Sequence, residues 1–389
     1  MMLITSVTPL TATFAFERDP LSYCFVRIET DTGLIGYGEA CDSYGCSFAG
    51  VLATVIDDAL APLLIGQEIE SVDRLADRMR LFTRRRLGDH GVAPQARSAV
   101  EIALWDLVGQ EAGRSVSSLL GQSHERIPVY ASSVFLEEGP AAWHLEMLQP
   151  LLDRGVTMVK VRVGPQWRPD LITLAELRAM LHPSIELMVD GSEIFTLPTA
   201  LEVAATLHDL GVMWFEEPLP QNERAGIEQL ADRSPVAIAY GEHLYGNLDA
   251  LEVLTRKQAT VLQPDASTCG GISEARRMAT TAAYFGARVV PHVCAGPISL
   301  AANLHVAATV PVIRAIEYPY TMAPAWAAFS PGAGLGIDSI EDGTIAVPNG
   351  AGLGVSLVEE AVAMHPYSAP GARVAGSRAG LPDRFVGDR

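Results

Sequence analysis

Residues 186–219 read "ELMVDGSEIFTLPTALEVAATLHDLGVMWFEEPL". One apolar run ends at Asp190, a helix-length segment follows, and a second apolar run ends at Glu216 and Glu217. Short apolar runs alternating with helix-length segments are the pattern of βα units that build a parallel sheet. The pattern extends in both directions. It places strand ends near Ser132, Arg162, Asp190, Glu216, Glu242, Asp265, His292 and Glu317, at intervals of 23 to 28 residues from Arg162 onward. Each interval holds one strand, one helix and two short loops. Local pattern does not distinguish a closed barrel from a doubly wound open sheet. Nearly every strand end carries a polar side chain, however, and barrel enzymes assemble their sites from several strand ends, whereas open sheets gather ligand contacts at one switch point. An α/β barrel is therefore the expected fold class.

Before this repeat the chain has a different texture. The runs "LITSVTPL", "YCFVRIET" and "LIGYGEA" suggest a β meander over the first 40 residues, and helical patterns follow at about 50–64, 69–86 and 94–113. In the last of these Val100, Ile102, Ala103, Leu104, Leu107 and Val108 form one apolar stripe, with Gly113 as a stop. After Glu317 the pattern loosens, with strand-like "GTIAVP", a short helix and two copies of "GAGLG" at 332–336 and 350–354. Neither copy lies between a strand and a long helix with a downstream acid, so both are expected to be turns and not a dinucleotide fingerprint. The expected domains are 1–125 (N-terminal α+β unit), 126–325 (barrel), 326–370 (C-terminal segment) and a Gly/Arg-rich tail at 371–389.

Among 389 residues, Asp and Glu outnumber Lys and Arg 46 to 28, for a formal net charge of -18. Phosphate backbones recruit Lys and Arg, so a nucleic-acid footprint is excluded, and an anionic ligand must meet positive charge locally. Cys24, Cys41, Cys46, Cys269 and Cys294 are odd in number and contain no C-x-x-C pair, which suits reduced thiols in a cytoplasm. The N-terminus lacks a basic n-region and the run "VLATVIDDALAPLLIG" is broken by Asp57 and Asp58, so neither a signal peptide nor a membrane span is expected.

Asp190, Glu216 and Glu242 each end an apolar run, and from successive barrel strands they could share one cation. Hard oxygen ligands with room for water and substrate suit Mg²⁺. Singly, each could equally be a solvated loop acid or a helix cap. Glu216 shares parity with Val212 and Trp214, Glu217 does not, and parity alone does not say which set faces inward. Asp265 and His292 end consecutive strands; an Asp beside a His fixes its tautomer and raises its basicity, as a general base requires. Their plainer role is a buried His on a backbone carbonyl and an Asp capping a helix. Glu317 completes the ring as a charged partner or a protonated donor. In "TMVKVRVGP" (157–165), Lys160 and Arg162 share one side of one strand.

The stretches "SAVEIALWDLVG", "VKVRVG", "MVDGS", "WFEEPL", "GEH", "LQPDASTCGG", "VVPHV" and "AIE" together resemble the enolase superfamily, in its mandelate racemase subgroup (the mandelate racemase/muconate lactonizing enzyme family). The chain is similar to acid-sugar dehydratases and, over "LQPDASTCGGISEARR" to "VVPHV", to galactarolactone cycloisomerases. The resemblance implies a modified (β/α)7β TIM barrel under an α+β capping domain formed by the N-terminus and a C-terminal segment. It implies Mg²⁺ on Asp190, Glu216 and Glu242, an Asp265 and His292 dyad, Glu317 bonded to a substrate carboxylate and Lys160 as that carboxylate's electrostatic partner. Specificity would come from cap loops near 14–23 and 41–48, with Arg18, Tyr44 and Ser47 as candidate substrate-binding residues, joined by His243.

Arg162 departs from the subgroup's usual Lys-x-Lys pattern, in which the second Lys is a base opposite the His. A guanidinium is effectively always protonated and is a poor base. One-base chemistry is the expectation: Mg²⁺-dependent abstraction of the proton α to a carboxylate by His292, then dehydration of an aldonate or aldarate to a 2-keto-3-deoxy acid. The alternatives are a racemase, epimerase or sugar-lactone cycloisomerase of the same family, and a non-catalytic sugar-acid binding protein. The expected partner is a small-molecule carboxylate, without nucleic acid or membrane, in a homo-oligomer.

Overall fold

A computed structural model of the protein describes residues 2–16, 20–41 and 48–369. Arg18, Tyr44, Ser47 and the tail from 370 lie outside the described residues. The chain opens with an antiparallel meander, β1 (Ile4–Phe14), β2 (Leu21–Thr30) and β3 (Ile35–Ala40), in the order β1-β2-β3. Helices α1 (Ala49–Val55), α2 (Ala61–Leu64), α3 (Val72–Arg84), α4 (Val92–Ala112) and α5 (Val116–Leu120) follow. A π-helical stretch at Ile56–Leu60 makes α1 and α2 nearly continuous, over the span expected for one helix. Helix α4 is buried on almost all sides. Gly38 makes its close approach to β3 possible, because a Cβ there would lie 1.8 Å from the Ala99 carbonyl oxygen.

The βα repeat then runs β4 (Arg126–Phe135), α6 (Ala141–Leu152), β5 (Met158–Arg162), α7 (Trp167–Met180), β6 (Glu186–Asp190), α8 (Leu197–Asp209), β7 (Trp214–Glu216) and α9 (Arg224–Arg233). It continues through β8 (Ala237–Tyr240), α10 (Asn247–Thr255), β9 (Val261–Leu262), α11 (Ile272–Tyr284), β10 (Arg288–Val289), α12 (Pro297–Thr309) and β11 (Ile316–Pro319). Eight strands with seven intervening helices form one parallel curled sheet, β10-β9-β8-β7-β6-β5-β4-β11. Its ends meet through a parallel bridge between Val289 and Ile313 and a hydrogen bond of 3.2 Å from Glu317 N to Pro291 O. The repeat pointed to an α/β barrel, and this is the (β/α)7β form that the family resemblance implied.

Strands β9 and β10 end three residues before Asp265 and His292, not at them. The ladder runs one residue further, through Gln263 N to Tyr240 O (2.9 Å) and Val290 N to Leu262 O (3.0 Å). Pro264 and Pro291 then have no N–H to continue it. Both functional candidates therefore stand on loops directly past a strand. Inside the barrel, Tyr130, Met188, Trp214, Ala239, Val261, Val290 and Ala315 form a buried apolar layer. Residues two further along the same strands point to the same side, and they include Asp190, Glu216, Gln263, His292 and Glu317. Glu216 thus faces the barrel axis with Trp214.

Two short helices, α13 (Ala323–Phe329) and α14 (Glu359–Met364), and strand β12 (Thr344–Ala346), paired to β4, complete the described chain. Phe329 packs on Phe14, Tyr23 and Phe25 at 5.9, 5.2 and 5.5 Å between centroids, and Thr13 N bonds His365 O at 2.9 Å. The C-terminal segment therefore lies against the N-terminal sheet and completes the cap. Both "GAGLG" copies are turns, with positive φ at Gly332, Gly334, Gly352 and Gly354. Among the described residues, no helix is long and apolar enough to cross a membrane.

Buried carboxylates bolt cap to barrel. Glu101 of α4 accepts from Ile272 N (2.7 Å) and Ser273 N (3.0 Å) at the start of α11, and from Trp105 Nε1 (2.9 Å). Asp106 accepts from Tyr37 N (2.9 Å) and Leu353 N (2.8 Å), joining α4, β3 and the C-terminal segment. Burial, against these donors, pushes Glu101 up to about 7 and Asp106 to about 6. Acids raised on folding contribute stability that is complete below the unfolded carboxylate range and is lost as pH rises through the folded values. Urea midpoints are therefore expected to fall between about pH 5 and 7.5. Glu101→Gln should flatten that slope, and Glu101→Ala, which strands buried donors, should cost about 1–3 kcal/mol.

Candidate active site

Lys160 lies at the centre of the barrel mouth. Its Nζ donates to Glu216 Oε1, lies 2.8 Å from Glu317 Oε1 and 3.7 Å from Asp190 Oδ2, and sits 5.9 Å from the Tyr130 ring centre. Burial opposes its charge, but Glu216, then Glu317, Tyr130 and Asp190, outweigh burial and hold the ammonium well above its usual range. Arg162 leans the other way. Its Nε and Nη2 reach Asp190 Oδ2 at 3.0 and 2.6 Å, and its guanidinium lies 5.1 Å from the Phe135 ring centre. Arg162's side chain is 28% exposed against 4% for Lys160, so the two cations of β5 differ in depth as well as chemistry.

Burial would raise the Asp190 carboxyl, yet Arg162 and then Lys160 hold it down to about 2. Its other oxygen accepts from Ser192 N at 2.8 Å and Ser192 Oγ at 3.1 Å. Glu216 accepts from Gln263 Nε2 at 2.6 Å and Trp214 Nε1 at 3.3 Å. Burial, opposed by Lys160 and reinforced by Asp190, Glu317 and Glu242, still lifts it to about 7. Glu242 is lifted to about 7 by burial and by Glu217, against His292. Gly241 before it could be no other residue, since a Cβ would lie 2.3 Å from Gln263 N.

His292 Nδ1 lies 3.0 Å from Asp265 Oδ2, while Nε2 lies 3.4 Å from Glu242 Oε2 and 3.9 Å from Glu317 Oε2. The other Asp265 oxygen accepts from Ser267 N (2.7 Å), Ser267 Oγ (2.7 Å) and Asn303 Nδ2 (2.9 Å). With Nδ1 committed to the aspartate, Nε2 is the nitrogen left to move a proton in the mouth. Burial works against the His292 charge, but Glu242, Glu317 and Asp265 raise its affinity for a proton well above the ordinary value. His305 is a control within the same fold. It meets only backbone, Ser117 N at 3.1 Å and Leu353 O at 3.0 Å, and burial drops it to about 4.

The structure thus brings Lys160, Arg162, Asp190, Glu216, Glu242, Asp265, His292 and Glu317 to one barrel mouth. His243 points to a neighbouring position, with Nδ1 3.2 Å from Glu217 Oε1 and 3.9 Å from Glu193 Oε1. Burial is outweighed there by Glu217, which lifts the imidazole to about 10. Glu193, Glu217 and His243 have donor atoms within 4.8 Å of one another and form a candidate cation cluster. Gln263, Asn303, Ser267 and Ser192 are site neighbours that residue types alone did not single out. Gln263 was within reach, because it shares the parity of Asp265 and lies two residues past the interior Val261.

The chemistry of the donor set fits a hard divalent cation. Asp190, Glu216 and Glu242 are buried and offer only carboxylate oxygens; burial first, and neighbouring acids after it, raise two of the three. Such an excess of buried negative charge is what a divalent ion compensates.

The chain belongs to the enolase superfamily: its residues 144–361 match the enolase C-terminal domain-like family and residues 5–121 match the mandelate racemase/muconate lactonizing enzyme N-terminal domain. Members of that superfamily use Mg²⁺ with a Lys or His base. Among its relatives, an arabinonate dehydratase of Saccharolobus solfataricus is 32% identical over 74% of this chain and 77% of its own. A D-galactarolactone cycloisomerase of Agrobacterium fabrum is 28% identical over 75% and 76%. The crystal structure of the 3,6-anhydro-D-galactonate cycloisomerase of Zobellia galactanivorans superimposes with a TM-score of 0.85 at 26% identity, over 94% of this chain and all (100%) of that one.

The Lys160 ammonium separates carboxylates that would otherwise repel in a buried site. In metal-free buffer, Lys160→Met is expected to lower unfolding stability by about 3–5 kcal/mol, because it strands buried charge. Arg162→Met, at a more exposed position, should lower it less; urea titration of both variants measures the difference.

Proposed function

We propose that the protein removes the proton α to the carboxylate of an acid sugar, an aldonate or aldarate, and expels the β-hydroxyl as water to give a 2-keto-3-deoxy acid. The observation that carries this reading is one imidazole paired to an aspartate at the barrel mouth, with a guanidinium at the position on β5 where a second base would stand. His292 is oriented by Asp265, and the residue that could act from β5, Arg162, is a guanidinium paired with Asp190. Asp190, Glu216 and Glu242 would hold Mg²⁺, which supplies positive charge for the substrate carboxylate and for the second negative charge that proton loss creates.

The chain's own residues do the rest. His292 Nε2 takes the α-proton, and the C–H pair moves into the carboxylate as an enediolate. Lys160 supplies positive charge for the enediolate, and Glu317, 2.8 Å from its ammonium, holds that charge in place before the reaction. The electron pair then returns to form the C2–C3 double bond as the β C–O bond breaks. His292 returns its proton to the departing hydroxyl, water leaves, and the enol tautomerises to the ketone. Arg162 neutralises charge and orients, and takes no proton. The substrate is a small carboxylate, a cytoplasmic setting suits five cysteines with no C-x-x-C pair, and the working form is a homo-oligomer.

A second reading is favoured by the relatives themselves, since two named above are cycloisomerases. Lactone opening is also β-elimination by one base, with a ring oxygen as the leaving group. It shares the first half of the mechanism and differs in whether water is released.

Screening an acid-sugar and lactone library with Mg²⁺ is expected to show 2-keto-acid formation that EDTA abolishes and Mg²⁺ restores. Glu242→Gln should weaken Mg²⁺ binding in calorimetry at least tenfold. His292→Asn should remove both turnover and exchange of the α-proton with D₂O, by about a thousandfold or more. Retained exchange in that variant would show a second base and overturn the one-base assignment. No exchange by the wild-type protein on any library member would favour a binding protein instead.

A further inference from the structure

The base stands on a loop that the cap domain grips at three points. The loop runs from Val290 to Gly296 between β10 and α12, and on the barrel side Val293 N donates to Glu317 Oε2 at 3.3 Å. Gly296 N donates to Glu39 Oε1 at 2.6 Å, and Ser299 N in the first turn of α12 donates to Glu39 Oε2 at 2.9 Å. Glu39, fully buried at the end of β3, therefore caps a helix of the barrel from a strand of the other domain. A Cβ at 296 would lie 2.5 Å from Glu39 Oε1, so glycine there lets the carboxylate close on the backbone. Two residues past Glu39, Cys41 donates its thiol to Cys294 O at 3.2 Å, and its N–H to Ser267 O at 3.1 Å. Trp326 Nε1 of α13 holds Ala295 O at 2.9 Å.

The same contacts reach the aspartate of the dyad. Ser267, held by Cys41, gives both its N–H and its hydroxyl to Asp265 Oδ1. Asn303, one turn along α12 from Ser299, donates to Asp265 Oδ1 at 2.9 Å and to Ser299 O at 3.1 Å, and accepts from Ala266 N at 2.9 Å. Both members of the dyad thus hang from the segment Glu39–Cys41.

We infer that Glu39 and Cys41 are positioning residues for proton transfer: they fix His292 against Asp265, so the cap domain sets the geometry of the base. The inference rests on the reading of His292 as the base. Movement of a reacting group by about 1 Å can cost on the order of a hundredfold in rate, so these residues should act on kcat more than on KM.

The test compares Glu39→Gln, Cys41→Ala and Cys41→Ser with Asp106→Asn, a buried cap carboxylate with no contact to the dyad. Crystal structures of the full-length variants with Mg²⁺ need no substrate. In Glu39→Gln and Cys41→Ala the distance from His292 Nδ1 to Asp265 Oδ2 is expected to lengthen beyond 3.5 Å, and carbethoxylation of His292 by diethyl pyrocarbonate, read by peptide mass spectrometry, to change at least threefold. On whichever library member the wild type turns over, kcat should fall 10- to 100-fold with KM within threefold, and Cys41→Ser, which keeps a donor, should recover most of it. Asp106→Asn should lower the melting temperature with dyad geometry and kcat kept. An unchanged dyad distance and carbethoxylation rate in Glu39→Gln and Cys41→Ala would overturn the inference. If His292→Asn kept full exchange while the dyad moved in those variants, the base assignment would fail and the structural coupling would stand.

Discussion

Everything at the barrel mouth is arranged around one buried ammonium. Strands β6, β7 and β11 each deliver a carboxylate to the same small volume, and without Lys160 those acids would repel one another in a medium that screens poorly. Its contacts with Glu216, Glu317 and Asp190 hold three strand ends together at the level where the barrel closes. Arg162 extends the compensation of Asp190 outward. The residual imbalance remains on Glu216 and Glu242, the two acids raised to about 7, and it is there that a divalent ion has most to gain.

The same economy of buried charge joins the domains. Glu39 and Glu101 leave the cap and end on the first turns of α12 and α11, where unsatisfied N–H groups and the helix dipole favour an acid. These helices follow β10 and β9, the strands that lead into His292 and Asp265. Docking the cap and setting the dyad are consequently one set of contacts, which explains why a catalytic unit of this kind uses both domains although its ionisable residues all belong to the barrel.

The relatives of this chain are named as dehydratases and as cycloisomerases. One fold can carry several reactions, because function resides in the particular side chains at the strand ends and the loops around them.

Much of this was legible in the chain itself. Apolar runs at a βα period located all eight strands, and polar residues at their ends named Asp190, Glu216, Glu242, Asp265, His292 and Glu317 as one convergent group, because strand and helix periodicity are local properties of sequence. The guanidinium at 162 was likewise legible as a poor base from its chemistry alone. Other features were not legible. Which parity of "MWFEEPL" faces the axis, that Lys160 rests on Glu216, that Gln263 and Asn303 steady the acids, and that Glu39 and Cys41 reach the base were decided only in three dimensions. Each of those contacts joins residues far apart in the chain, and their energies depend on burial and on which charges share a cavity, which no local window of sequence contains.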